Sequence, residues 1–279
     1  MKKEANLKKI ITVTSGKGGV GKSTLVFNIA DAISKEGVDV IILDADLPLG
    51  NIDLFAGVKP LFTLKDVIKG ERSLDEIIIE VKKGLKIIPT SSGDTELCHL
   101  TNKQELSLVS AFDNLKSNFD ILLIDTDAGI SSNVIYFSTI SQEIVLVITP
   151  DPASLHDSLA LINILSNRHG EKSFNVIVNC VKSKEEMASI FSTFSNMVDK
   201  ENCDVRLNFI GSLNFDSKII NAVKKQTAVA DLYPNSSSAK DIRKIAKSLM
   251  AIPSKPVPKG SLQILLKDFL EQSRETVKL

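Results

Sequence analysis

Tryptophan is absent from this 279-residue chain, tyrosine occurs twice, and aromatic residues make up 5%. Such a chain offers no stacking platform for single-stranded nucleic acid. Cysteine is almost as scarce. Its three copies, Cys98, Cys180 and Cys203, have no C-x-x-C spacing, which argues against a disulfide scaffold and for a reducing compartment. His99, His156 and His169 are scattered without metal-ligand spacing. Charge of one sign has no excess, since 34 basic residues meet 34 acidic ones. No global field would draw the molecule onto DNA or an anionic membrane. Long apolar runs are missing as well, and nothing approaches the about 18 residues that a membrane-spanning helix needs. The apolar run after the charged start MKKEANLKK is too short for a signal-peptide core. These absences lead us to expect a cytoplasmic protein.

What the chain does have is a repeated alternation. Short β-branched apolar runs recur: IITVT (10–14), VIILDA (40–45), LKIIPT (85–90), DILLIDT (120–126), EIVLVITP (143–150), NVIVNCV (175–181) and LNFIGSL (207–213). Their hydrophobicity is continuous, as for strands covered on both faces. The segments between them read as helices. Leu25, Val26, Ile29, Ala30 and Ile33 share one face of the first, and Ile242, Ile245, Ala246, Leu249 and Met250 share one face of the last. The expected fold is therefore α/β, a three-layer sandwich around a mostly parallel sheet. Ligands of such sheets bind beyond the carboxyl ends of the strands.

At the end of the first strand stands SGKGGVGKST (15–24). Gly16, Lys17, Gly18, Gly19, Val20, Gly21, Lys22 and Ser23 fit G-x-x-x-x-G-K-[ST]. Backbone N–H groups of such a loop curl around phosphate oxygens, Lys22 would reach the β- and γ-phosphates, and the Ser23 hydroxyl would bind Mg²⁺. Thr24 opens the helix whose N-terminus faces the phosphates. A chance match in a glycine-rich turn would lack the strand before it and the amphipathic helix after it.

Three aspartates sit at the predicted strand ends, Asp44, Asp46 and Asp125. A nucleotide hydrolase needs carboxylates to hold Mg²⁺ through its waters and a group to orient the attacking water. Singly, each could equally cap a turn. Asn179 ends another strand, where an amide could pair with adenine, although asparagine there usually just turns the chain.

KGGVGKST resembles the deviant Walker A loop of the MinD/ParA class of P-loop ATPases, and Lys17 matches that class's signature lysine. DADLPLGNIDLFAGV (44–58) is similar to its first switch region and DTDAGI (125–130) to its second. TPDPASLHDSLALI (149–162) and VNCVKSKEE (178–186) resemble stretches lining its adenine pocket. Within the class, DTDAGI, the TPDP stretch and FDSKIINAVKKQTAVADLYPNSSSA (215–239) are most like the flagellar number and placement regulators of the FlhG (FleN, YlxH) family. The resemblance implies ATP and Mg²⁺ as ligands, ATP hydrolysis and a sandwich homodimer in the ATP state. Lys17 would reach the partner's nucleotide, Asp46 would orient the water, and Asp44 and Asp125 would hold Mg²⁺ waters. Asn179 would contact adenine, and Asn51 would lie near the phosphates. It also implies partners: an FlhF-like GTPase, and basal-body or transcription-regulator proteins. Two departures stand out. KEANLKK (3–9) is a degenerate echo, wrongly spaced, of the D-Q-A-x-x-L-R segment that stimulates that GTPase. Asp127 replaces the proline or glycine of relatives, and a carboxylate beside the γ-phosphate would slow turnover. A ParA-type segregation ATPase and a nucleotide-gated scaffold with little hydrolysis stay open as alternatives. DNA binding finds no support in the neutral net charge.

The composition breaks at PSKPVPKG (253–260), a stiff, proline-rich linker. We expect one P-loop ATPase domain over 1–253, a linker over 254–260 and an amphipathic helix over 261–279. Leu262, Leu265, Leu266, Phe269 and Leu270 share one face of that helix. It would either pack on its own domain or lie on the inner face of the cell membrane, as the MinD tail does. Lys267, Arg274 and Lys278 are balanced by Asp268, Glu271 and Glu275, so apolar burial and the avidity of two tails would have to carry the second reading.

Overall fold

A computed structural model describes residues 9–47, 49–90, 97, 99–201 and 204–253. Residues 3–8 of the degenerate N-terminal echo, Cys98, Cys203, the linker and the tail helix with Leu262, Leu265, Leu266, Phe269 and Leu270 lie outside the described residues.

Seven strands run parallel. In chain order they are β1 (Lys9–Ser15), β2 (Val40–Ala45), β4 (Leu85–Ile88), β5 (Ile121–Ala128), β6 (Glu143–Ile148), β7 (Ser173–Val181) and β8 (Arg206–Asn214). The eighth, β3 (Ile79–Lys82), pairs antiparallel with β4, and the sheet order is β3-β4-β2-β5-β1-β6-β7-β8. The seven expected strands are thus present with ends shifted by a residue or two. β3 was not foreseen. It is four residues long, and the turn Lys83-Gly84, with Gly84 at φ 78°, folds it back on β4. Its alternation is too short to stand out from the apolar run Ile77–Ile78 before it.

Alternating side chains of the central strands feed two separate cores, which accounts for their continuous hydrophobicity. Ile11, Val13, Val40, Ile42, Ile121, Leu123, Val145 and Ile177 face one layer, with Leu25, Ile29 and Ile33 of α1 (Lys22–Ser34) and Ile242, Ile245 and Leu249 of α11 (Ser237–Ala251). On the opposite face, Ile41, Leu43, Leu122 and Ile124 meet Leu64, Leu108 and Phe137 of α3 (Leu64–Ile68), α5 (Asn102–Asp113) and α6 (Ser132–Ile140). Further along that face, Leu146, Ile148, Val176 and Val178 pack on Leu161 and Phe194 of α7 (Pro152–His169) and α8 (Lys184–Lys200). Two short helices, α2 (Ile52–Ala56) and α4 (Leu74–Ile77), follow β2, and α9 (Ser217–Lys224) and α10 (Val229–Leu232) follow β8.

Several polar groups at the edges of this frame are tied down. Buried Asp31 of α1 pairs with Lys35 at 2.6 Å and with Lys82 of β3 at 2.7 Å, and both lysines continue to Asp231 of α10. Buried Asn28 accepts the Val229 N–H at 2.8 Å. Lys9, at the start of β1, donates to the carbonyls of Leu249, Met250 and Ile252 at 3.2, 3.1 and 2.5 Å. A cation there satisfies carbonyls that the last turn of α11 leaves unpaired and complements its dipole. Burial lowers the Lys9 pKa, and the nearby Glu143 carboxylate opposes that shift.

Removing the ammonium deprives those buried and half-buried carbonyls of their donor and removes the attraction between Lys9 and Glu143. Lys9→Ala should lower the unfolding free energy by about 2 kcal/mol, read as a lower denaturant midpoint at unchanged slope.

Candidate nucleotide site

The parallel register sets the charge layout before any loop is considered. Asp44 of β2 lies directly opposite Asp125 of β5. Each is on the face that carries Ile42 or Leu123, so both side chains are directed toward the layer of α1. That helix begins with Lys22 and Ser23, the last residues of the phosphate-loop motif. Two carboxylates from neighbouring strands therefore meet one helix N-terminus.

Specific contacts fix the loop between β1 and α1. Lys22 is buried, and its Nζ donates to Ser15 Oγ at 2.9 Å, while Ser15 Oγ donates to the Lys17 carbonyl at 2.7 Å. Gly16 passes so close to α7 that an added Cβ would sit 2.1 Å from backbone atoms of Asp157 and Ser158; Ser158 Oγ accepts its N–H at 3.3 Å. Gly21 adopts φ 90°, and a Cβ there would meet Asn179 Nδ2 at 2.7 Å. Only glycine suits either position. Asn179 props the loop from behind, donating to the Val20 carbonyl at 2.7 Å and accepting the Cys180 N–H at 2.9 Å. One amide N–H and one lone pair remain for a further partner. Cys180 holds a left-handed φ of 59° to close this turn.

The carboxylates differ in use. Asp44 accepts the N–H of Ile52 at 3.0 Å and of Asp46 at 3.3 Å, so it fastens the loop from Asp46 to Ile52. Burial, and then the neighbouring Asp125, push its pKa well above the carboxylate range. Burial raises Asp125 to about 7, against the opposing effects of a hydrogen bond from Ser23 and the Lys22 charge. Asp46 is also raised, by burial and then by Asp127. Burial lowers Lys22, opposed by Asp125, Asp127 and Asp46. One oxygen of Asp125 and one of Asp46 are buried without a hydrogen-bond partner. Such oxygens beside the Ser23 hydroxyl are the hard donors that Mg²⁺ takes. Among the described residues no three acidic, histidine or cysteine side chains converge to hold a metal alone. That fits Mg²⁺, which takes one or two protein oxygens and completes its shell with phosphate and water.

Over this floor lies a cavity of about 570 Å³ lined by Gly18, Gly19, Gly21, Lys22, Ser23 and Thr24. Asp46, Asn51, Leu54 and Phe55 form one side, Asp127 and Ala128 another, and Val223, Lys224 and Gln226 the third. Asn51 caps α2 and donates to the Leu49 carbonyl at 2.6 Å. The walls from 223–226 were missed in the sequence, where no spacing ties them to the loop; Gln226, at a left-handed φ of 52°, brings them in. The stretch 149–162 backs the loop through Asp157 and Ser158. Lys17 points elsewhere. It lies at the rim, 41% exposed, in an ion pair with Asp151, which also caps α7 by accepting the Ala153 N–H at 3.0 Å. That pairing lowers the Asp151 pKa. Asp151 sits in the quoted TPDP stretch, but nothing in the sequence pairs it with Lys17.

Comparison with known proteins agrees with this geometry. Residues 8–177 match the AAA domain family. The chain is similar to the antiactivator FleN of Pseudomonas aeruginosa, with 35% identity over 94% of each chain. It is also similar to the flagellum site-determining protein YlxH of Helicobacter pylori, with 31% identity over 94% of this chain and 90% of that one. Among solved structures, the septum site-determining protein MinD of Pyrococcus horikoshii, complexed with Mg-ADP, superposes with a TM-score of 0.70 at 25% identity. The match covers 89% of this chain and all of that one.

The buried carboxylates make stability pH-dependent when no cation neutralises them. A carboxyl raised to about 7 in the fold, against an ordinary aspartate value of 3.8, binds a proton more tightly folded than unfolded. Its favourable contribution is complete below pH ~4 and is lost as pH rises to ~7. In nucleotide-free, metal-free protein, the fall in thermal midpoint between pH 5 and 7.5 should be shallower for Asp125→Asn than for wild type.

Proposed function

Because the chain belongs to the FleN/YlxH family of MinD-like P-loop ATPases, we propose that it is an ATP-driven dimerisation switch that controls flagellar number or placement. ATP hydrolysis comes with the family. The flagellar role rests on the relatives, one named an antiactivator and the other a flagellum site-determining protein.

The observation that carries the switch is the division of labour between two lysines. Lys22 is buried under the loop among carboxylates, as a group that binds phosphate within its own chain must be. Lys17 stands at the rim, tied to Asp151. Its own site already has a buried cation, and the rim lysine would leave Asp151 to meet the nucleotide of a second copy. Exposed Leu49, Leu54 and Ile130 lie on or next to the two switch segments and supply apolar surface for that contact.

Within one chain, the loop N–H groups and Lys22 would hold the phosphates. Ser23 and Asp125 would hold Mg²⁺, which neutralises charge on the β- and γ-phosphates when bound. Asp46, with one buried oxygen unpartnered, would orient the attacking water. Asp44 would keep Asp46 in place through the loop it fastens. The ATP dimer would bind its partners, an FlhF-like GTPase or basal-body and regulator proteins, and hydrolysis would return it to monomer. Two tail helices brought together would hold it on the membrane by avidity.

Light scattering tests the switch. Wild type and Asp46→Ala should be monomeric with ADP and dimeric with ATP, the variant staying dimeric longer. Lys17→Ala should bind nucleotide as wild type does yet stay monomeric with ATP. No dimer with ATP in either of the first two proteins ends the proposal. Liposome sedimentation tests the tail: the full chain should pellet with ATP more than with ADP, and a chain ending at Ile252 should not pellet. Equal pelleting of both chains removes the membrane claim.

A further inference from the structure

Asp127 has no part in the loop, the cation site or the orientation of water, yet it lines the same cavity as Lys22, Asp46 and Gly18. Its position follows from a slip in the sheet. β1 and β5 run in register from Lys9↔Ile121 to Val13↔Asp125, but the next pair is Ser15↔Ala128. Three steps along β5 match two along β1. Such an extra residue bends a strand and re-aims its side chains. Thr126 fills the inner side of the slip, donating to the Val13 carbonyl at 3.2 Å and lying 2.8 Å from the Asp127 carbonyl. Gly129 ties the far end back, donating to the Ser15 carbonyl at 2.9 Å.

Held this way, Asp127 Oδ1 accepts the N–H of Ala128 at 2.5 Å. Ala128 faces the phosphate loop, its Cβ 4.0 Å from where a Cβ on Gly18 would lie. A backbone N–H at the wall of a cavity that Lys22 also lines is a natural donor to an incoming phosphate oxygen. In this structure the chain's own carboxylate already takes it. The same carboxylate acts electrostatically on Lys22 and on Asp46. A terminal phosphate drawn to Lys22 would then meet both an occupied donor and a fixed negative charge. Two like charges at ~4–6 Å near a protein surface repel each other even after screening. A diphosphate lacks the terminal group and escapes most of this.

We infer that the Asp127 carboxylate is a built-in competitor of the terminal phosphate of a nucleoside triphosphate, a residue that sets the preference between triphosphate and diphosphate. This rests on the nucleotide reading of the cavity. It deepens that reading, because the dimer-forming state is then reached only when a bound triphosphate displaces the carboxylate from Ala128.

The test is equilibrium binding of ADP and of a non-hydrolysable ATP analogue, each with Mg²⁺, to the full chain. Asp127→Gly and Asp127→Asn should bind the ATP analogue about tenfold more tightly than wild type, with ADP changed by less than about twofold. The Asn variant keeps shape and turn, so it carries the test if Asp127→Gly folds poorly. Equal shifts for both nucleotides, or none for either, overturn the inference while leaving the site intact. Lys22→Ala should lose both nucleotides. If wild type itself binds neither, the site reading falls and the inference with it.

Discussion

A lysine ammonium buried beneath a glycine loop cannot stand without negative charge nearby, and the arrangement of this molecule around its nucleotide cavity follows from that requirement. Lys22 is held by Ser15 and faced by Asp125, Asp127 and Asp46. The carboxylates in turn are too many for one cation. Burial and mutual repulsion raise Asp44, Asp46 and Asp125. The carboxylates repel one another in the cavity, and a bound Mg²⁺ with a phosphate chain would supply both the missing positive charge and a partner for the lysine. Ligand affinity and folding stability are therefore coupled through the same few atoms.

That coupling reaches the loops that would report the nucleotide's state. Asp44 does not end at the cavity; it fastens the backbone of Asp46 and Ile52, and with them the segment that bears exposed Leu49 and Leu54. Asp125 continues into the slipped strand end that carries Asp127 and then exposed Ile130. Each of these loop segments is thus rooted in one of two carboxylates that face each other across neighbouring strands. A change in charge between them would act on both roots together. Meanwhile α1 is anchored behind the loop by the Asp31, Lys35, Lys82 and Asp231 network.

Much of this was legible in the sequence, and the limits have physical causes. The phosphate loop is readable because its glycines are demanded locally, at Gly16 by a helix backbone and at Gly21 by a left-handed turn. The parallel sheet is readable because strands buried on both faces must be apolar throughout. β3 is not, since an edge strand of four residues carries too short a pattern. Nor are the contacts that depend on tertiary register. That Asp44 sits opposite Asp125, that Asp151 holds Lys17, and that Val223, Lys224 and Gln226 wall the cavity are statements about residues tens to hundreds of positions apart. Asp127 shows both sides. Its departure from relatives was visible, but only the slipped register reveals that its carboxylate occupies a backbone donor.

The lysine that opens β1 gives the molecule a polarity. Lys9 binds the carbonyls that close α11, so the two ends of the described fold meet at one point. β1 then runs its seven residues to the phosphate loop, about 20 Å away. The phosphate loop and the loops that bear Leu49 and Ile130 lie at one pole, and Lys9 with the last turn of α11 lies at the other. A body gripping the last turn of α11 and a body reading Leu49 or Ile130 would approach from opposite directions. The two could be held at once, with the sheet as the strut between them.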